Sequence, residues 1–79
     1  MKMTLIGAGS YVFGGTVLRD ALVRHKLQGE LVLVDLNGEA AEAMAGVGRR
    51  MAQEVGAECE VWSTTDRREA LPGSDFVIL

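Results

Sequence analysis

Short apolar runs alternate along this chain with longer stretches in which apolar side chains recur every three or four positions. The first pattern predicts buried strands and the second amphipathic helices. Strands are expected at about residues 2–7, 30–35, 58–64 and 76–79. The first helix is expected over about 11–26, with Val12, Val17, Leu18, Ala21 and Leu22 on one stripe, and Gly29 as its C-terminal stop. A second starts at an N-cap on Asn37, carries Ala40, Met44, Val47, Met51 and Val55, and stops at Gly56. Gly46 and Gly48 weaken that helix unless it packs closely on the sheet. Asp66-x-x-Glu69 has the form of a capping box for a short turn at about 67–71, which Leu71-Pro72-Gly73-Ser74 ends.

This alternation predicts an α/β chain, half of a doubly wound domain: a parallel sheet in the order 3-2-1-4 with right-handed crossovers. Helices one and two then cover one face, leaving the other with only the short 67–71 segment. Strands two and four nevertheless read as continuous apolar runs, which suit burial on both sides. The expectation is the front half of a larger protein, or a subunit that covers its bare face by association. The unpaired edge Phe76-Val77-Ile78-Leu79 points to the same outcome, a homo-oligomer through that edge or that face.

The chemistry sits where the first strand ends. Thr4-Leu5-Ile6 runs into Gly7-Ala8-Gly9-Ser10, and the second strand ends in Asp35. A dinucleotide-binding βαβ unit needs this pairing. Gly7 allows the tight turn, Gly9 lets a pyrophosphate approach the backbone, and the following helix offers its free N–H groups. Asp35 accepts from a ribose diol and repels a 2′-phosphate, which favours NAD over NADP; Leu36 and Asn37 supply no arginine in its place. The fingerprint is incomplete, because Val12 stands where a third glycine belongs. An ordinary strand-to-helix turn using two glycines is the plainer alternative.

Composition narrows the field. With 79 residues and a net charge of −3, this is one small domain without the basic footprint of a nucleic-acid binder. The pairs Arg49-Arg50 and Arg67-Arg68 read as solvated helix positions. The single cysteine, Cys59, excludes an internal disulfide, fits a reducing compartment, and reads as a small core residue. No run has the length of a membrane span, and Met1-Lys2 leads into a strand without the layout of a signal peptide, so a cytoplasmic protein is expected. The lone histidine, His25, falls in the last turn of helix one and reads as a surface residue favoured by the helix dipole. Trp62 reads as packing, the methionines as core filler, and no nucleophile–base set can be assembled.

The run Gly7-Ala8-Gly9-Ser10-x-x-Phe13, with Leu18-x-Asp20 and Leu33-x-Asp35, resembles the N-terminus of glycoside hydrolase family 4. Thr64-Thr65-Asp66-Arg67-Arg68-Glu69-Ala70-Leu71 followed by Ser74-Asp75-Phe76-Val77-Ile78 is similar to the same family, in its α-glucosidase and α-galactosidase branch. The resemblance covers nearly the whole chain but only the front of a family member. It implies NAD and a divalent metal, usually manganese, and cleavage of an α-glycoside by oxidation at C3, loss of the C2 proton and elimination. It assigns Gly7, Gly9, Ser10 and the adjoining backbone of Tyr11 and Val12 to the pyrophosphate, Asp35 to the adenosine ribose with Asn37 beside it, and Thr65 to the adenine edge. It implies that the metal ligands and catalytic tyrosine lie beyond residue 79, so that this segment alone is inactive. Two other readings share the first βαβ unit: the front of a lactate/malate-type dehydrogenase, and a non-catalytic nucleotide-sensing module.

Overall fold

The computed structural model describes residues 1–7, 17–25 and 27–78. Four strands, β1 (Lys2–Ile6), β2 (Gly29–Val34), β3 (Cys59–Thr64) and β4 (Phe76–Ile78), form one parallel sheet in the order β3-β2-β1-β4. Between them lie α1 (Arg19–Arg24), α2 (Gly38–Val55) and α3 (Arg67–Ala70). The expected topology is present.

Alternation along the strands divides the core in two. Leu5, Leu31, Leu33 and Val61 face α1 and α2, where they meet Leu18, Ala21, Leu22, Leu27, Met44, Ala45 and Ala52. Val32 and Val34 face the other way and pack with Ala70, Ile6 and Trp62. The second face is therefore less bare than expected. Thr4 and Val32 are fully buried there, because α3 and the following turn lie across the centre of the sheet. The Thr4 hydroxyl bonds the Ala70 carbonyl at 3.2 Å and the Ser74 hydroxyl at 2.6 Å, satisfying the buried polar side chain of that face. What stays open is the β4 edge, with Phe76 and Val77 about half exposed.

The first helix departs from its expected form. Residues 8–16, which include Val12 of the expected stripe, and residue 26 lie outside the described residues. Leu18, Ala21 and Leu22 are buried as expected, but Arg19–Arg24 is wound as a π-helix, and the amide of His25 donates to Asp20 at 3.1 Å. The turn widens where Leu27 is drawn into the core; its amide donates to the Ala21 carbonyl at 2.9 Å. His25 ends the helix and is exposed. Gly29 does not stop it. Gly29 opens β2 with φ at 120°, and a Cβ there would lie 2.0 Å from the Met1 carbonyl oxygen. Its role is to let the chain's first residue run alongside the strand.

Helix α2 is capped at both ends as its sequence predicts. Asn37 Oδ1 accepts from the Ala40 amide at 3.1 Å. At the other end Gly56 is left-handed, and the Ala57 amide returns to Ala52 at 2.8 Å in a Schellman closure. Its buried stripe is Ala41, Met44, Ala45, Gly48 and Ala52, rotated from the expected one. Val47 is exposed and Ala40, Met51 and Val55 are half-buried. Apart from Met44, the larger apolar residues flank the contact and small residues fill it, because the helix lies close to the sheet. Gly48 is that close approach: a Cβ would meet Val61 at 3.1 Å and Leu18 at 3.2 Å. Gly46 has nothing within 4 Å, so packing does not explain it.

The edge strand β3 is tied to α2 by polar groups. Arg49 donates through Nε to the Val61 carbonyl at 2.9 Å and pairs with Glu42 at 2.7 Å, and Glu42 accepts from the Ser63 hydroxyl at 2.7 Å. Arg49 is thus a clamp on the sheet edge rather than a merely solvated cation. These donors hold the Glu42 carboxyl below its ordinary value. Trp62 packs on the second face, as expected, and donates its indole N–H to Glu30. Cys59 packs beside the core, where burial, with the Glu30 and Glu60 carboxylates, pushes its thiol up. Of the four methionines, Met44 is buried in the core, Met3 and Met51 pack against it, and Met1 is exposed.

Candidate functional site

Sheet register builds the site. Ile6 pairs with Val34, and Val34 with Thr64, so these three form one row across β1, β2 and β3. Gly7, Asp35 and Thr65 are each the next residue. They therefore emerge side by side at the carboxyl ends of the strands, where open α/β sheets bind their ligands.

Gly7 leaves β1 with φ at 84°, a left-handed turn that suits glycine, and its amide donates to the Val34 carbonyl at 2.8 Å. A Cβ there would touch nothing within 4 Å, so the requirement is conformational. Asp35 follows Val34. Its backbone amide donates to Thr64 at 3.3 Å, and its Oδ1 accepts from the Asn37 amide at 2.9 Å. This Asx turn fixes the carboxylate beside the start of α2.

Together Ile6, Gly7, Val34, Asp35, Leu36, Thr65 and Arg67 line an open cleft of about 370 Å3. Its lining is mainly apolar and includes one acidic residue, Asp35, and one basic residue, Arg67. That volume is at the lower end of small-ligand sites. Thr65 packs against the first turn of α2, where its methyl leaves room only for the hydrogen of Gly38; a Cβ would sit 3.0 Å from it.

The expected site residues divide into three groups. Gly7, Asp35 and Thr65 meet in the cleft. Asn37 lies next to it, and its side chain caps α2 while its amide orients Asp35. Gly9, Ser10, Tyr11 and Val12 lie outside the described residues, as does Phe13. Sequence reasoning missed Leu36, which is 97% exposed at the cleft, and Arg67. The sequence pattern alone makes Arg67 a solvated helix position. It lines the cleft because β3 and β2 are adjacent, so the turn after β3 delivers it beside Asp35.

The short helix that carries Arg67 is firmly started. Asp66 Oδ1 accepts from the Arg68 amide at 2.9 Å, and the Asp66 carboxylate also pairs with the Arg68 guanidinium at 3.0 Å. Both hold the Asp66 carboxyl below its usual range. The expected reciprocal arm of the capping box is indirect. The Asp66 amide donates to the Thr64 hydroxyl at 3.1 Å, and that hydroxyl donates to Glu69 at 3.2 Å.

Known proteins resemble this chain in sequence and fold. Residues 2–79 match the family described as family 4 glycosyl hydrolase. The chain belongs to the family 4 glycosyl hydrolases. Among its relatives are an alpha-glucosidase of Erwinia rhapontici, 37% identical over 79 residues, and an alpha-galacturonidase of Thermoanaerobacter italicus, 30% identical. A malate dehydrogenase of Pseudomonas putida is 35% identical over 78 residues. These alignments cover 99%, 100% and 99% of this chain, but 17%, 17% and 24% of the respective relatives. A solved 6-phospho-alpha-glucosidase from gut microorganisms, in complex with NAD and Mn2+, superposes with a TM-score of 0.77. It is 25% identical, and the match covers 96% of this chain and 18% of that one. This family 4 chain therefore spans about a fifth of the length of such relatives.

Proposed function

We propose that this family 4 segment binds the adenosine half of NAD, within a protein that cleaves α-glycosides by a redox-assisted route. The observation that carries the reading is the single row of Gly7, Asp35 and Thr65 at the strand ends. The described residues fit that ligand. Asp35 is held by Asn37 at the tip of β2, where a ribose diol can donate to it, and Ile6 and Val34 offer an apolar floor for a base. The backbone over Gly9, Ser10, Tyr11 and Val12 is assigned the pyrophosphate, and Thr65 the adenine edge. The NAD of the solved neighbour supports the choice of dinucleotide. When bound, NAD supplies the acceptor for a hydride from the sugar; manganese belongs with the catalytic residues elsewhere in the complete protein. This chain's own task is to bind and orient the dinucleotide, and alone it turns over no glycoside.

A reducing, cytoplasmic setting accords with the unpaired Cys59. Among the described residues, no helix is long and apolar enough to cross a membrane. We also propose self-association through the β4 edge, where Phe76 and Val77 are exposed.

Calorimetry on the chain with NAD and NADP tests the reading. NAD binding at least as tight as NADP, lost in Asp35→Ala, is the expected result. A clear NADP preference would overturn the role of Asp35. The malate dehydrogenase relative favours a second reading, the front of a lactate/malate-type dehydrogenase. It gives Asp35 and Gly7 the same work and differs in the reaction of the complete protein. Turnover of a nitrophenyl α-glycoside, with NAD, manganese and a reductant, by the complete protein but not by this chain, separates the two.

A further inference from the structure

We infer that Arg67 stacks on the base of the bound dinucleotide and, with Leu36, makes the cleft a clamp for a purine ring. The inference rests on the NAD reading above and adds a specificity residue to it.

Arg67 is the first residue of α3, exposed, and part of the cleft lining. The carboxylates nearest to it in the chain are already engaged. Asp66 is held by Arg68 through the Arg68 amide and two guanidinium contacts, at 3.1 and 3.0 Å, and Glu69 accepts from the Thr64 hydroxyl. Among the described residues, the Arg67 guanidinium has no ion-pair or hydrogen-bond partner. An arginine in this state has a planar, weakly hydrated face to offer.

Leu36 is the matching anomaly. It follows Asp35 directly, bounds the same cleft, and is almost fully exposed. With Ile6 and Val34 it gives the cleft an apolar surface that a flat ring can cover. Adenine is flat and apolar on both faces, and its π system attracts a cation above it. Asp35 already fixes where the attached ribose lies. The base of that nucleoside then falls between the ends of β2 and β3, where Leu36 and Arg67 are.

The pair Arg67→Ala and Arg67→Lys tests this by calorimetry with NAD and with AMP, which share the base and ribose. Circular dichroism of each variant checks folding, which an exposed substitution leaves intact. Arg67→Ala should weaken both ligands by about threefold to tenfold, the range of an exposed to partly desolvated cation–π contact. Arg67→Lys should recover less than half of that loss, because it returns the charge without the planar face. Full recovery by lysine would overturn stacking in favour of simple charge. Unchanged affinity in Arg67→Ala, with binding still lost in Asp35→Ala, would overturn the clamp and leave the NAD reading standing. Failure of the unsubstituted chain to bind either ligand would overturn both.

Discussion

Gly46 and Gly48 lie two residues apart on α2, yet the structure gives their substitution opposite signs. Adding a side chain at either position relieves the entropic cost of glycine in a helix, worth about 0.8–1.0 kcal/mol for alanine. At Gly46 nothing lies within 4 Å of the new Cβ, so Gly46→Ala should keep that gain. At Gly48 the Cβ arrives 3.1 Å from Val61 Cγ1 and 3.2 Å from Leu18 Cδ2. Both neighbours are buried, Leu18 completely, and cannot swing into solvent. Gly48→Val pushes two further methyl groups into that contact. Overpacking of this kind costs about 1–3 kcal/mol, against a propensity gain of only a few tenths. In a domain of this size about 1 kcal/mol moves Tm by roughly 4–8 °C. Thermal melts followed by far-ultraviolet circular dichroism should therefore show Gly46→Ala raised and Gly48→Val lowered, each by at least several degrees. Urea titrations should move the midpoint in the same directions with an unchanged m value. Equal shifts of one sign would mean that α2 does not meet β3 and α1 through Gly48, and the packing argument would fail.

Acid should destabilise the fold through Glu42 and Asp66, whose carboxyls are held below their ordinary values of 4.5 and 3.8 by Arg49 with Ser63 and by Arg68. A depressed folded value means the unfolded chain takes up protons first, so this stabilisation is full above the ordinary range and fades as pH falls through the lower folded values. Melts between neutral pH and pH about 3 should show the decline, and Glu42→Gln should flatten it; a slope unaltered by that change would refute the role of Glu42. Asp35→Ser should admit NADP, because Arg67 lines the cleft and the repelling carboxylate is gone; calorimetry that still shows exclusion of NADP would place its cause elsewhere. Light scattering at micromolar concentration should find the chain self-associated, with Val77→Lys returning it to a monomer by charging the open edge; a monomeric unsubstituted chain would refute the edge pairing.

Most of the sheet was legible because each strand signal is local. Gly7, Asn37, Gly56 and Asp66 were legible for the same reason, since a turn or cap is decided by a few neighbouring residues. The misread features all depend on what another segment brings. Gly29 looked like a helix stop, and its real constraint is Met1, distant in sequence. Helical spacing points to a stripe on α2 through Ala40, Met44, Val47, Met51 and Val55, but the closeness of the sheet keeps only Met44 of these buried and selects the small Ala41, Ala45, Gly48 and Ala52 beside it. Thr4 gave no sign of its burial, because its partners come from the turn at Ala70 and Ser74. That turn is also why the second face is better covered than helix counting implied.

The candidate site depends on alignment more than on any one side chain. Gly7, Asp35 and Thr65 converge only because Ile6, Val34 and Thr64 share a row. A one-residue slip of β2 would exchange its leucines and valines between the two cores, a mismatch of side-chain volume in two close-packed clusters that opposes it. A two-residue slip preserves the faces but carries Asp35 about 6.6 Å along the sheet, out of reach of its neighbours. Side-chain alternation does not forbid that move. Gly29 and Asn37 do. Gly29 accommodates Met1 at one end of β2, and a residue with a Cβ brought to that place would strike the Met1 backbone. At the other end Asn37 starts α2 by capping Ala40 and binds Asp35 through its amide. The strand is thus pinned at both ends, and the Asp35 carboxylate is held at the tip of β2 beside the start of α2.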